Sequence, residues 1–406
     1  MHSLYRVGTC ISFLDYAEQL VAPLDNFLSA APHDFYARVL LSSGAAQRTP
    51  AQLCYFLCSF FLEQATSNHH VAAAAKLGDV VLLGPCRLLP NQTDDPPSTL
   101  PPSPGSPGQE LVEPWMRLIT TALREKVIPD TLRALLASNL LASATSHPQA
   151  TVRSLTALGG LDLFESTAVL FASSSVLPLL RSHERRLVLT CLTSLILECL
   201  HADPSACLGA VMSFLMPSGA LRAIAIEELQ YLQEECSALQ SGLDAGQADS
   251  HEGSEDSSDA DTDSGMSLLD DGGEGEEDDI EGAVRGQDGS DIQTQQEFIS
   301  ALHEARRLAP RLNDDASHAS SGSGECNFLD EQDFESPIDD WCVWRRFQWA
   351  AGVLSRHSFS CTRSDSLAKS IVQYLFEHAE GLNAAVALER HCFEAKRRIR
   401  DGGNVT

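Results

Sequence analysis

Apolar residues recur three and four positions apart through most of the first 240 residues, the spacing that lays one stripe along one helix face. Helices are predicted over Tyr16–Leu28 (Leu20, Val21, Leu24, Phe27, Leu28) and Pro50–Gln64 (Leu53, Phe56, Leu57, Phe60, Phe61). Two more follow over His70–Leu83 (Leu77, Val80, Val81) and Glu113–Val127 (Leu118, Ile119, Ala122, Leu123), the latter with Pro114 in its first turn. Pro129–Leu141, Leu161–Phe171, His183–Leu200, Pro204–Leu215 and Ser218–Leu239 continue the series. Alternation of β-branched and polar residues between turn clusters, the mark of strands, is nearly absent. No single helix of this kind can bury its stripe alone. Consecutive antiparallel helices stacked in pairs can, so the pattern predicts an all-α fold: a HEAT or armadillo-like α-solenoid, with a compact bundle as the competing arrangement.

Two stretches break the period. Residues 94–108 (DDPPSTLPPSPGSPG) are rich in Pro, Ser and Gly and read as a flexible insertion between helices. From 241 onward Gly, Ser, Asp and Glu leave almost nothing to bury, which predicts disorder to about 325, with a short helix over Thr294–Leu308. Apolar spacing returns with Val343, Trp344, Phe347 and Trp349, then Leu367, Ile371, Tyr374, Leu375, and finally Leu382, Val386 and Phe393. On a helix from about Ile338, positions 341, 344 and 348 share a face, and this densest aromatic cluster reads chiefly as core, with a peptide-binding groove as the alternative. The last helix ends in Lys396-Arg-Arg-Ile-Arg400, which complements the negative end of the helix dipole. The expected organisation is a helical-repeat body over 1–240, an acidic disordered region over 241–325 and a C-terminal helical segment over 326–406.

Charge sharpens that division. The 406 residues carry 56 acidic against 28 basic side chains, a formal net charge of −28. Residues 241–340 alone hold 29 acidic and 4 basic residues, a net of −25, so the other 306 sum to only −3. Direct nucleic-acid binding is disfavoured, because phosphate contacts need clustered Lys and Arg. Basic proteins are the natural partners of such a strip. Its densest part is Asp270, Asp271, Glu274, Glu276, Glu277, Asp278, Asp279 and Glu281, the candidate site for a basic partner. The bland alternative is a solvated linker that keeps the protein soluble. Ser254, Ser257, Ser258, Thr262 and Ser264 lie among acids, where phosphorylation would deepen the charge.

Catalytic constellations do not emerge. There is no phosphate-cradling Gly loop, GxSxG elbow or HExxH pair, so no enzymatic activity and no cofactor are expected. Cys54 and Cys58 lie one helical turn apart without a second ligand pair and read as core rather than metal ligands. The 12 Cys, among them Cys191 and Cys199, occupy mostly apolar positions, as small hydrophobes do in a reducing compartment. His69-His70 sits at a helix start, where capping or solvation is expected. The N-terminus lacks a basic region followed by an apolar core, so no signal peptide is read. The most apolar window, 161–180, contains Asp162, Glu165 and several Ser, so no membrane insertion is expected.

The order of these features resembles the C-terminal half of an importin-β-type nuclear transport receptor, in the subgroup of importins seven and eight. Phe328-Leu-Asp-Glu-Gln-Asp-Phe-Glu-Ser-Pro337-Ile-Asp-Asp-Trp341 is similar to the strip that follows that subgroup's acidic run. The helix with Val343, Phe347, Ala351 and Leu354, and the tail 388–403, sit where the family's last helices sit. Ala73-Ala-Ala-Lys76-Leu-Gly-Asp-Val-Val-Leu, the helix 115–127 after it, and His183-Glu-Arg-Arg-Leu-Val-Leu-Thr-Cys-Leu are likewise similar to upstream helices. The resemblance implies a receptor that carries basic protein cargo, such as ribosomal proteins and histones, between cytoplasm and nucleus. It implies Ran GTPase and Phe-Gly nucleoporins as partners. The chain departs from the family in length: members are more than twice as long, and nothing here corresponds to the N-terminal repeats that contact Ran, so a fragment or short form is expected. A helical scaffold unrelated to transport and an acidic chaperone for histones or ribosomal proteins are the competing functions.

Overall fold

The computed structural model describes residues 18–37, 49–64, 67–88, 107–199, 204–215, 217, 219–248, 336–339, 341–356 and 379–402. These residues are all-α, with no strand among them. The helices are α1 (Val21–Ala30), α2 (Pro32–Ala37), α3 (Pro50–Glu63), α4 (Asn68–Leu83), α5 (Gln109–Glu125), α6 (Asp130–Ser146) and α7 (Pro148–Ala157). They continue with α8 (Asp162–Phe171), α9 (Ser182–Glu198), α10 (Pro204–Leu215), α11 (Ala220–Ala248), α12 (Val343–Arg356) and α13 (Ala379–Gly402).

Local chemistry sets the helix ends. Thr49 opens α3 with a capping box: its hydroxyl accepts from the Gln52 amide at 3.2 Å and the Gln52 side chain accepts from the Thr49 amide at 3.1 Å. Before α5, Gly108 takes φ +84°, a left-handed conformation that disfavours any residue with a Cβ. That turn starts α5 at Gln109, five positions before Pro114, so the proline lies inside the helix rather than in its first turn.

Three helices form the buried spine. α4, α6 and α9 pack side by side, and most of their residues are inaccessible to solvent on every face. A helix buried all round reads as apolar and small, and α4 carries Ala72–Ala75 in succession. Gly78 lets α6 come close: a Cβ there would lie 2.0 Å from Asn139 Oδ1. A second row, α3, α5 and α7, packs on this spine, α3 against α4 and α5 against α6. These helices are amphipathic. α5 turns Leu111, Val112, Trp115, Met116 and Ile119 inward while Glu113 and Arg117 pair on the outside at 3.1 Å. α10 and α11 pack against α9, α12 lies along α9, and α13 packs on both α11 and α12. The core is therefore continuous from α1 to α13.

Most expected helices are present, and the differences have local causes. α2, with six residues, is too brief for a periodic stripe, and α7 follows α6 directly, separated from it by His147 alone and opening on Pro148. α11 runs to Ala248, past the boundary expected at 240. Most of the Pro-rich insertion, the region 249–335 and the helix expected at 294–308 lie outside the described residues. Among the described residues no single helix is long and apolar enough to cross a membrane.

Candidate functional site: the anchor of the returning chain

The eight acidic residues singled out in the sequence, Asp270 to Glu281, lie outside the described residues. The structure instead describes the place where the chain rejoins the body after the acidic run. Ser336-Pro337-Ile338-Asp339 forms a turn on the N-terminal end of α9, with Ile338 fully buried. One side chain holds it. Arg186 Nη2 lies 3.3, 3.2 and 2.5 Å from the backbone carbonyls of Ile338, Asp339 and Trp341. A planar guanidinium with several donors suits such multiple capture.

The same end of α9 concentrates buried charge. Glu184 is fully buried and accepts from the Arg181 amide at 3.0 Å, capping the helix it belongs to. Arg185 Nε donates to Glu228 of α11 at 3.0 Å, and Ser182 donates to the same carboxylate at 2.7 Å. Burial holds Glu228 above the usual carboxylate range even though Arg186 and Arg185 stand beside it. His183 Nδ1 lies 3.7 Å from Asp339 of the returning turn. Burial alone would lower the His183 pKa, but Asp339, Glu184 and Asp79 outweigh it and raise it.

Beyond the turn, two contacts fix α12. Arg346 stacks on the Trp341 ring at 4.0 Å, a cation–π contact. Glu389 of α13 accepts the amides of Trp344 and Arg345, both at 3.2 Å, so one helix supplies the N-cap of another. Burial raises the Glu389 pKa to about 6 against the opposing pull of Arg186 and those amides. Helix α12 therefore starts at Val343 rather than near Ile338, and Trp341 precedes it. Trp344 and Phe347 are core, as the aromatic pattern predicts, while Trp341 and Trp349 are partly buried against it.

A second polar cluster ties the spine together deeper in the body. Asp79 on α4 accepts from Ser138 at 2.5 Å and Asn139 at 2.7 Å, both on α6. Asn139 also donates to the Ala75 carbonyl at 2.7 Å and accepts from Trp115 Nε1 on α5 at 3.4 Å. Burial pushes the Asp79 pKa up to about 6, with His183 and the two donors pulling the other way. His70 is buried rather than solvated, while His69 is exposed. Cys54, Cys58, Cys191 and Cys199 are buried, as expected. Among the described residues no group of three or more His, Cys, Asp or Glu is placed to hold a metal ion.

An open groove of about 520 Å³ runs between α12 and α13, lined by Gln348, Asn383, Val386, Ala387, Arg390, His391 and Glu394. Within this lining Gln348 donates to Asn383 at 2.6 Å, and Arg390 pairs with Glu394 at 2.9 Å. Sequence reasoning missed Arg186, Glu228 and Glu389. The available signal was the crowding of His183-Glu-Arg-Arg186 into one turn of an otherwise apolar helix. No family model, curated protein or solved structure matches the chain.

Proposed function

We propose that the protein is an importin-like nuclear transport receptor that carries basic proteins, with its helices stacked as a HEAT or armadillo-type solenoid and its acidic segment engaging the cargo. The observation that carries this is charge segregation. A segment of net charge about −25 is inserted into an almost neutral helical body. Its exit and re-entry points are built into that body: α11 packs against α9 and α13, and the returning turn is clasped by Arg186. The two packed rows, α3, α5, α7 and α4, α6, α9, support the solenoid. A strip of this charge attracts a basic partner from a distance and screens it once bound, with strong dependence on salt. By the sequence resemblance, Ran GTPase and Phe-Gly nucleoporins are further partners, with movement between cytoplasm and nucleus.

The test has two arms. Binding of purified core histones is compared for the whole chain and for a deletion of 249–295, at low and high salt, with a neutral protein as control. Import of fluorescent histone is then followed in permeabilised cells supplied with Ran and GTP. Binding that is lost on deletion and at high salt, together with nuclear accumulation, is the expected result. Salt-sensitive binding without accumulation would leave an acidic chaperone. Equal binding by both chains would reduce the strip to a linker and overturn the cargo role assigned to it.

A further inference from the structure

Two cysteines face each other across the join between the parts of the chain before and after the acidic segment. Cys236 lies on α11 and Cys392 on α13, 5% and 2% exposed. Cys392 Sγ donates to the Leu232 carbonyl at 3.4 Å. In a helix that carbonyl also accepts the amide of the residue four positions on, here Cys236. The Cys392 sulfur therefore sits beside the start of the Cys236 side chain, one helical turn along α11 from the carbonyl it donates to. Beside them Glu235 and Lys396 form an ion pair at 2.8 Å that holds the same two helices in register. α11 and α13 pack directly against each other, and a disulfide needs Cα atoms roughly 4.4–6.8 Å apart, a separation that closure of these two helices must supply.

We propose that Cys236 and Cys392 are a redox modification site, oxidised by hydrogen peroxide to a disulfide that staples α13 to α11. In the first step one thiolate attacks the peroxide, the O–O bond breaks, and the sulfur becomes a sulfenic acid as water leaves with the second oxygen. The other sulfur then attacks the sulfenic sulfur, the S–S bond forms, and a second water leaves. The pair loses two electrons and two protons, and the peroxide is reduced to two waters. A buried pair is a slow reactant, since the thiolate is the nucleophile. Burial first, then Cys236 beside it, pushes the Cys392 thiol up to about 12, which slows its attack on peroxide while the helices stay closed. Hydrogen peroxide is hardly larger than water and needs only a brief parting of the two helices. The bond closes a loop around the whole acidic segment, so oxidation fixes covalently the two parts of the body from which that segment leaves and to which it returns.

The experiment uses the full chain with Cys10, Cys326 and Cys361, which lie outside the described residues, changed to Ser. A specific protease site is inserted between Gly272 and Gly273. The protein is exposed to hydrogen peroxide, blocked with N-ethylmaleimide, cleaved, and run without reductant. The two pieces are expected to travel as one band, to separate with dithiothreitol, and to yield a joined peptide containing Cys236 and Cys392. Cys236→Ser and Cys392→Ser should each abolish the joined band while leaving the circular dichroism spectrum unchanged, and Cys236→Ala serves if the serine disturbs the fold. Pieces that part without reductant, a band that persists in the variants, or a joined peptide with other cysteines would overturn the proposal.

Discussion

Asp79 is 3% exposed on α4, where water cannot stabilise its charge and Ser138 and Asn139 donate to it. Its pKa is about 6 in the folded protein against 3.8 as the ordinary value. A carboxylate whose pKa is raised by folding binds more protons in the native state than in the unfolded state. Its contribution is therefore fully present below pH 3.8 and is lost as the pH rises through 6. The sequence pI of about 4.7 makes the useful range the basic side of that value. Between pH 5 and 7.5 the native state should lose about 1.4 kcal/mol through this group. Asp79→Asn keeps the shape and cannot ionise, so its stability relative to the parent should improve by about that amount across the range, measured by urea unfolding at each pH. An unchanged difference would show that Asp79 keeps an ordinary pKa. Arg186 poses the opposite case, a buried cation whose partners are three carbonyls and, through space, Glu228 and Glu389. Arg186→Met retains the length of the side chain and removes every donor, at a cost of about 3 kcal/mol or more. Limited proteolysis should then cut within 336–342, where the parent is protected.

At the scale of elements, α12 depends on α13 for its start. The first amides of a helix have no partner within it, and here the Glu389 carboxylate takes two of them. Glu389→Ala leaves those amides buried and unmet, with an expected loss of about 1–3 kcal/mol. Glu389→Gln keeps an acceptor without the charge and should lose less, a ranking that urea unfolding midpoints would check, with amide exchange in the first turn of α12 rising in the same order. Such pairings explain what the sequence could and could not disclose. α3 was legible because Thr49, Pro50 and Gln52 carry the whole start signal within four residues. The first turn of α5 was not, because its determinant is the φ of Gly108, inside a stretch whose Pro and Ser read as a linker. Trp341 read as helical by spacing, yet the cap from Glu389 and the turn at Ser336-Pro337 place it outside α12. The Arg186 clasp was beyond reach, since its partners are backbone atoms 152 to 155 positions away. Acidic composition pointed to a partner-binding strip, but periodicity says nothing about where the chain on either side of it is held.

For the whole molecule, the body and the acidic segment obey different physics. The body is held by a continuous apolar core and a few buried charged contacts, which salt hardly screens. In the proposed role the segment would act through its long-range field, which salt screens within a Debye length of about 8 Å at physiological ionic strength. The two can therefore be altered separately. Changing Asp270, Asp271, Glu274, Glu276, Glu277, Asp278, Asp279 and Glu281 to Asn or Gln brings the net charge from −28 to −20. Those eight charged residues belong to a stretch of Gly, Ser, Asp and Glu with almost nothing to bury, so thermal unfolding of the helices should not move. Association with a basic protein should slow by about tenfold or more at low salt, since electrostatic steering raises on-rates by one to three orders of magnitude. At high salt the parent and the variant should converge, because screening removes from the parent what substitution removes from the variant. Stopped-flow mixing with a labelled core histone across a salt series would read both effects. A constant ratio of rates at every salt concentration would mean that the carboxylates make short contacts rather than a steering field, whereas equal rates throughout would take the segment out of partner capture.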